Sequence, residues 1–406
     1  MLIRSRIWTA ASSEMRPVEG LIKAFCRRRF INPRPGRRSF SYKVATQQWA
    51  MSTAMPDFQP EQQFDLLVLG NPLLDLQAEV SQEYLKKYGL NSNDAILADT
   101  KHMSIYEELL KLNETHVLAG GAAQNTARGA QYMLPENSVV YFGCVGEDQF
   151  ADKLRVENKK AGVESRYMVQ PEVATGKCAA LITGKNRSLV TDLGAANHYK
   201  VDHLRQPENW QYVAGANVFY VEGFHLTVCP DAMHALGHYA ADEDKTYCMN
   251  LSAPFLAEEY KEAMDANSKY WDVLMGNETE ALAYAKSHDL DTEDLEQIAK
   301  HIALLPKMNT SRQRTVVFTQ GTEATLVAVA DIVRKTVDLK WYPIHKIPPD
   351  EVRDSNGAGD AFAAGFIAGL VQDKDIDTAI DMGQWLAKLS LQELGPSYPS
   401  PKKTYR

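Results

Sequence analysis

A chain of 406 residues that is 45% hydrophobic, 24% charged and 9% aromatic can bury a large core, as a disordered chain cannot. No run reaches the roughly 20 apolar residues of a bilayer span, so no membrane partner is expected. The net charge of −8 hides two unlike parts: residues 1–50 hold 11 Lys or Arg against 2 Glu, leaving 33 basic and 50 acidic residues beyond them. So acidic a body offers nucleic acid no footprint.

The basic start, residues 1–60, shows no packed-core pattern and is expected to be a disordered extension outside the fold. Its Arg and Ser content with few acids suits a mitochondrial transit peptide. The run Arg27-Arg28-Arg29 suits a nuclear signal, and Met51 or Met55 offers an alternative start. These readings stay open beside a cytoplasmic residence, which is the expected one. The five cysteines, Cys26, Cys144, Cys178, Cys229 and Cys248, are scattered without a Cys-x-x-Cys pair. That pattern argues against a disulfide framework or a zinc site and suits a reducing compartment.

Residues 61–401 are expected to form an α/β body. Phe64–Gly70 is a short apolar run closed by a turn, and similar runs recur at Ser138–Cys144, Asn217–Val221, Thr246–Leu251, Val273–Met275 and Thr315–Thr319. Helical spacing fills Glu278–Ser287 and Glu293–Leu305. Strands alternating with helices predict parallel pairing in a three-layer α/β/α sheet, with ligands beyond the carboxyl ends of the strands. Two stretches break that rhythm, Ala179–Ile182 and Ser188–Thr191, which read as strands joined by a turn. With Leu76–Val80 and Thr115–Leu118 they predict a smaller, discontinuous β-rich lid drawn from residues 72–98, 113–126 and 172–193.

The strings that carry chemistry follow predicted strands. Gly70-Asn71-Pro72-Leu73-Leu74-Asp75 ends on a carboxylate that is either a turn former or an acceptor for two vicinal hydroxyls. Ala119-Gly120-Gly121-Ala122-Ala123-Gln124-Asn125 opens a helix with two small residues and an amide that both donates and accepts. Gly276-Asn277-Glu278-Thr279-Glu280 lies between a strand and a helix that Glu280 can cap. Asp354-Ser355-Asn356-Gly357-Ala358-Gly359-Asp360 is a glycine-rich turn running into a buried helix, Ala361–Leu370. Free N–H groups and the helix dipole at such a start suit a phosphate. Asp360 then either complements the dipole or takes a proton from an attacking hydroxyl.

Together these strings resemble the signatures of the ribokinase-like (PfkB) carbohydrate and nucleoside kinases. The resemblance implies Asp360 as catalytic base and Asn356, Gly357, Ala358 and Gly359 as the anion hole. It places Gly120, Gly121 and Asn125 on the acceptor's sugar hydroxyls, and Thr319 and Gly321 on the nucleotide side. Asn277 and Glu280 would assist Mg²⁺ and the phosphates through water. Longer strings, among them Asn71–Asp75, Asn186–Leu189, Leu251–Phe255 and Leu305–Asn309, resemble the eukaryotic adenosine kinase branch over residues 64 to 398. That likeness implies Mg-ATP as co-substrate, adenosine as acceptor and a monomer. Asp75 would hold the ribose 2′ and 3′ hydroxyls, Asn71 would face the purine, Phe224 and Phe255 would stack on it, and Arg187 would reach the triphosphate from the lid. The chain departs from the pattern at Ala122-Ala123, where relatives carry Ser-Thr, and at Arg353 and Gln384 on the nucleotide side. Another nucleoside or sugar acceptor, or a catalytically silent relative, stays open.

Overall fold

The computed structural model describes residues 64–92, 95–184 and 186–406. The expectations for residues 1–60 lie outside that range. Strands β1 (Leu66–Leu69), β5 (Val139–Gly146), β6 (Glu164–Gln170), β9 (Val218–Glu222), β10 (Thr246–Asn250), β11 (Val273–Asn277), β12 (Arg314–Gln320), β13 (Glu323–Asp331) and β14 (Thr336–Tyr342) form one nine-stranded sheet. Its order is β14-β13-β12-β11-β10-β9-β1-β5-β6. From β12 to β6 every pairing is parallel, as the alternation of strands and helices predicts. The β13 and β14 strands depart from that prediction, because tight turns instead of helices return the chain and add them antiparallel.

Alternate residues of the central strands enter opposite cores. Leu66 and Val68 face one with Tyr141 and Tyr220, while Leu67 and Leu69 face the other with Phe142 and Phe219. The helices Ala122–Met133, Gln149–Ala161, Ala358–Val371 and Ile376–Leu391 cover the first face, and Pro230–Asp242, Glu278–Ser287 and Leu295–Ala303 cover the second. Burial on both faces is why these strands are almost wholly apolar. The result is the expected three layers.

A second sheet of five strands has the order β3-β8-β7-β2-β4, with β2 (Leu73–Glu79), β3 (Ala95–Leu97), β4 (His116–Gly120), β7 (Thr175–Thr183) and β8 (Asn186–Gly194). Only Gly70, Asn71 and Pro72 separate β1 of the first sheet from β2 of the second. The chain crosses over β5 there at Gly143, where a Cβ would lie 2.6 Å from Pro72 Cδ. Four of the described cysteines, Cys144, Cys178, Cys229 and Cys248, are buried as free thiols.

Candidate active site

Parallel strands end on one edge of a sheet, so the residues just past them gather there. Asn71 after β1, Glu222 ending β9, Asn250 ending β10, Asn277 ending β11 and Thr319 near the end of β12 all line one cavity of about 310 Å³. The second sheet adds Leu73 and Asp75 from β2 and Leu189 and Thr191 from β8. Two helix starts complete the wall, with Gly121, Ala122 and Asn125 from one and Asn356, Gly357, Gly359 and Asp360 from the other.

Those two helices are held in contact by absent side chains. A Cβ on Gly129 would come within 2.7 Å of Ala364 Cβ, so the glycine sets how closely Ala122–Met133 approaches Ala358–Val371. The approach brings Asn125 and Asp360 together across 235 residues of sequence, with Asn125 Nδ2 donating to Asp360 Oδ2 at 2.8 Å. Arg128 Nη2 in turn donates to Asn125 Oδ1 at 2.7 Å and fixes which way the amide points. Gly357 takes a left-handed φ of +77° to turn into its helix, and a Cβ at Gly359 would meet nothing within 4 Å. The glycine therefore leaves open space beside the carboxylate of Asp360.

Four carboxyl groups line the cavity, and removal from water pushes each upward: Asp360 to about 6, Asp75 and Glu280 to about 7, and Glu222 to about 8. At Asp360 the Asn125 amide and the Arg128 cation restrain the rise by favouring the charged form. Asp75, 6% exposed, sits against Gly120, where a Cβ would lie 2.1 Å from Oδ1. Glycine is thus required at 120 to seat that carboxyl. Glu280 caps its own helix: Asn277 N donates to Oε2 at 3.0 Å and Asn277 Nδ2 to Oε1 at 2.9 Å.

The cavity thus gathers Asn71, Asp75, Gly121, Asn125, Phe224, Phe255, Asn277, Glu280, Thr319, Asn356, Gly357, Gly359 and Asp360. Gly120, Ala358, Gly321 and Arg187 are not part of its lining. Gly120 acts behind Asp75, Ala358 begins the helix, and Gly321 belongs to the tight turn between β12 and β13. Arg187 pairs with Asp354. Asp354 also accepts from Gln77 Nε2 at 3.2 Å, Asn356 N at 2.8 Å and Gly395 N at 2.9 Å, tying the second sheet to the glycine-rich turn before the helix Ala358–Val371. Phe224 and Phe255 do not form parallel walls. Their rings lie 6.2 Å apart at 41°, one tilted surface along the cavity. Gln384, on the helix Ile376–Leu391, is buried with Nε2 unpartnered.

Three contributors escaped sequence reasoning. Glu222 accepts from Asn71 N at 2.5 Å and Ala123 N at 2.7 Å, joining the two acceptor-side turns. His225, which burial holds neutral with a pKa near 3, meets Asn71 Oδ1 at 2.9 Å through Nδ1. That contact leaves Asn71 Nδ2 buried and unpartnered on a residue that lines the cavity. Ser252 holds φ +66° and supports the turn at Gly223 through a 2.9 Å hydrogen bond. A lone Glu, His or Ser after a strand carries no local signal for any of these contacts.

The sequence model of the pfkB family carbohydrate kinases matches residues 82–403. The chain belongs to that family. As a pfkB kinase it is an ATP-dependent phosphotransferase with an alcohol acceptor. The adenosine kinase of Saccharomyces cerevisiae is 51% identical over 346 residues, covering 84% of this chain and 98% of that protein. Adenosine kinase 2 of Arabidopsis thaliana is 40% identical over 82% of this chain and 95% of its own. Among solved structures, Anopheles gambiae adenosine kinase in complex with P1,P4-di(adenosine-5) tetraphosphate superposes with a TM-score of 0.79. It is 41% identical and covers 82% of this chain and 98% of its own. The pfkB match begins after Asn71 and Asp75, so the family model itself says nothing of those two.

Proposed function

We propose that the chain transfers the γ-phosphoryl group of ATP to the 5′-hydroxyl of adenosine, giving AMP and ADP. The observation that carries this reading is one cavity holding a buried carboxyl at Asp75 and a carboxylate at Asp360 beside the open Gly359 turn. Asp75 accepts the ribose 2′ and 3′ hydroxyls, and Asn71 Nδ2 donates to a ring nitrogen of the purine. Phe224 and Phe255 cover one edge of the base. Asp360 removes the 5′ proton as that oxygen bonds to the γ-phosphorus, and the bond to the β,γ-bridging oxygen breaks with its electron pair leaving on ADP. The N–H groups of 356–359 meet the charge on the transferring group. Asn125 orients the base and keeps one amide hydrogen for the sugar. The five-stranded sheet serves as the lid, and the Arg187–Asp354 pair latches it to the anion-hole turn.

Among the described residues no group of three or more His, Cys, Asp or Glu is placed so as to hold a metal ion, the four carboxyl groups of the cavity included. A lone carboxylate at Glu280, beside Asn277, suits Mg²⁺, which keeps several waters and binds substrate phosphates. Bound there, the ion would neutralise phosphate charge. Among the described residues no helix is long and apolar enough to cross a membrane.

The test offers purified protein and Mg-ATP a panel of adenosine, guanosine, inosine, ribose and fructose, with ADP release as readout. Adenosine should lead, because a purine buries an aromatic face and a donor at Asn71 suits its ring acceptors. Mismatched polar groups cost roughly 1–3 kcal/mol each. Ribose or fructose as better acceptor would defeat the adenosine reading, and binding of adenosine without any turnover would make the chain a silent relative.

A further inference from the structure

Asn71 and His225 share one hydrogen bond, and its direction decides what the cavity can read. Asn71 follows β1, and His225 stands on the short helix Gly223–Thr227 that follows β9, the strand paired with β1. The His225 ring is fully buried, edge-on to Tyr199 with centroids 5.3 Å apart, and burial keeps it neutral. A neutral imidazole carries a single N–H, so Nδ1 either donates or accepts. Asn71 turns Oδ1 toward Nδ1 at 2.9 Å. An acceptor there calls for Nδ1–H, which leaves Nε2 a bare lone pair, without a partner among the described residues. The reverse arrangement, with Nδ1 accepting from a flipped Asn71 amide, would bury Nε2–H without an acceptor, and orphaned N–H groups are the rarer defect. The Asn71 backbone is pinned separately, its N–H going to Glu222. Only the rotation of the amide is left for His225 to set. The tautomer so favoured leaves one donor unmet, Asn71 Nδ2, on a residue 2% exposed that lines the cavity.

We propose that His225 is a positioning residue for base recognition: by donating to Asn71 Oδ1 it holds Asn71 Nδ2 as a donor, so the site requires an acceptor nitrogen on the base. This role rests on the adenosine reading above and adds the residue that sets the hydrogen-bonding polarity of the pocket. Adenosine offers ring acceptors at N1, N3 and N7, whereas inosine and guanosine carry N–H at N1. Without His225 the amide can present either its donor or its acceptor, and the selection lapses.

The test compares adenosine with its 1-, 3- and 7-deaza analogues, each with one ring nitrogen replaced by C–H, in Mg-ATP turnover. In the wild type one analogue should lose about tenfold in kcat/KM, chiefly through KM, because it leaves the Asn71 donor unmet. The analogue that suffers names the nitrogen, and a loss with the 1-deaza compound should extend to inosine. In His225→Phe, which keeps a ring and removes the donor, the penalty should shrink to less than about threefold. His225→Leu gives a second variant without the donor. Nitrogen-15 resonances of labelled histidine in the wild type should show the His225 proton on Nδ1, a signature that packing alone does not fix. A proton on Nε2 overturns the proposal, whether or not either variant folds. So does a full penalty in a variant whose melting matches the wild type. A wild type that phosphorylates adenosine and all three analogues equally well overturns it too and leaves the adenosine reading standing. A chain that turns over no nucleoside defeats that reading and this role with it.

Discussion

Two helix starts face the same cavity, and the protein treats them in opposite ways. Each follows a glycine at positive φ, Gly121 at +88° and Gly357 at +77°, and each helix opens with small residues. At the first, Glu222 reaches in and accepts from Ala123 N, so a protein carboxyl group occupies the helix start. At the second, the space in front of Gly359 is empty for 4 Å and Asp360 stands on the third helical residue. The two caps share a positive φ but differ in ψ, 122° at Gly121 and 5° at Gly357, and one start is clamped by a protein carboxyl while the other stays open. What decides is whether the rest of the fold sends an acid to the helix start.

The sharpest way to break that contrast is to remove the base from the open start. Asp360→Asn should lower kcat by roughly 10²–10⁴-fold while adenosine still binds by calorimetry, since the ribose and base contacts lie elsewhere. Near-normal turnover in the folded variant would remove Asp360 from the mechanism. Next comes Gly359→Ala, which fills the open space with one methyl and clashes with nothing in the protein. A misplaced phosphoryl group should cost roughly 10–10²-fold in kcat. The same change should raise thermal stability, because alanine in a helix is favoured over glycine by about 1 kcal/mol. A variant less stable than wild type would show that the space is not free.

The occupied start predicts a different signature. Glu222→Ala strands two buried N–H groups, those of Asn71 and Ala123, at roughly 1–3 kcal/mol each. Melting temperature should fall, and the KM for nucleoside should rise about tenfold through misplacement of Asn71 and Gly121, with kcat affected less. A loss confined to kcat would mean that Glu222 serves the reaction instead of the turns.

Much of the frame was legible because it is local. The unbroken apolar run Leu66–Leu69 announces a strand buried on both faces, and Asn277 with Glu280 forms a capping box that fixes the helix Glu278–Ser287 to the residue. Three of the four sheet edges were not legible; only β4, read at Thr115–Leu118, was. β6 opens Glu164-Ser165-Arg166 and lies at one margin of the sheet, β14 alternates exposed residues at the other, and β3 has three residues. Edge strands need no apolar run, so periodicity misses them. The candidate site divides the same way. Glycine-rich turns announce themselves, whereas Glu222 finds its partners 151 and 99 residues away and Arg187 meets Asp354 at a separation of 167. Contacts that distant exist only once the sheet is folded.

The smallest expected effect is a shift in pH, and it tests why Asp360 is poised to act. Burial lifts its carboxyl to about 6, and the Asn125 amide and Arg128 restrain the rise. A base must be ionised, so kcat/KM should fall about tenfold per pH unit below 6. In Asn125→Ala the amide that stabilises the carboxylate is gone, so the acidic limb should move upward, toward neutrality, in a protein whose circular dichroism is unchanged. Stability must move in the opposite sense to ionisation. Because the folded carboxyl titrates above its unfolded value, its contribution is whole below about pH 4 and is lost as pH rises through about 6. Unliganded wild type should therefore lose melting temperature between pH 4 and 7 relative to Asp360→Asn, which has no proton to give up. Asp75 and Glu280, near 7, and Glu222, near 8, remain in that variant, and the Asp360 charge helps raise all three, so the difference between the two proteins reports Asp360 together with its coupling to them. An acidic limb that stays put in Asn125→Ala, with parallel melting curves for wild type and Asp360→Asn, would mean that the open helix start holds a carboxylate the cavity does not perturb.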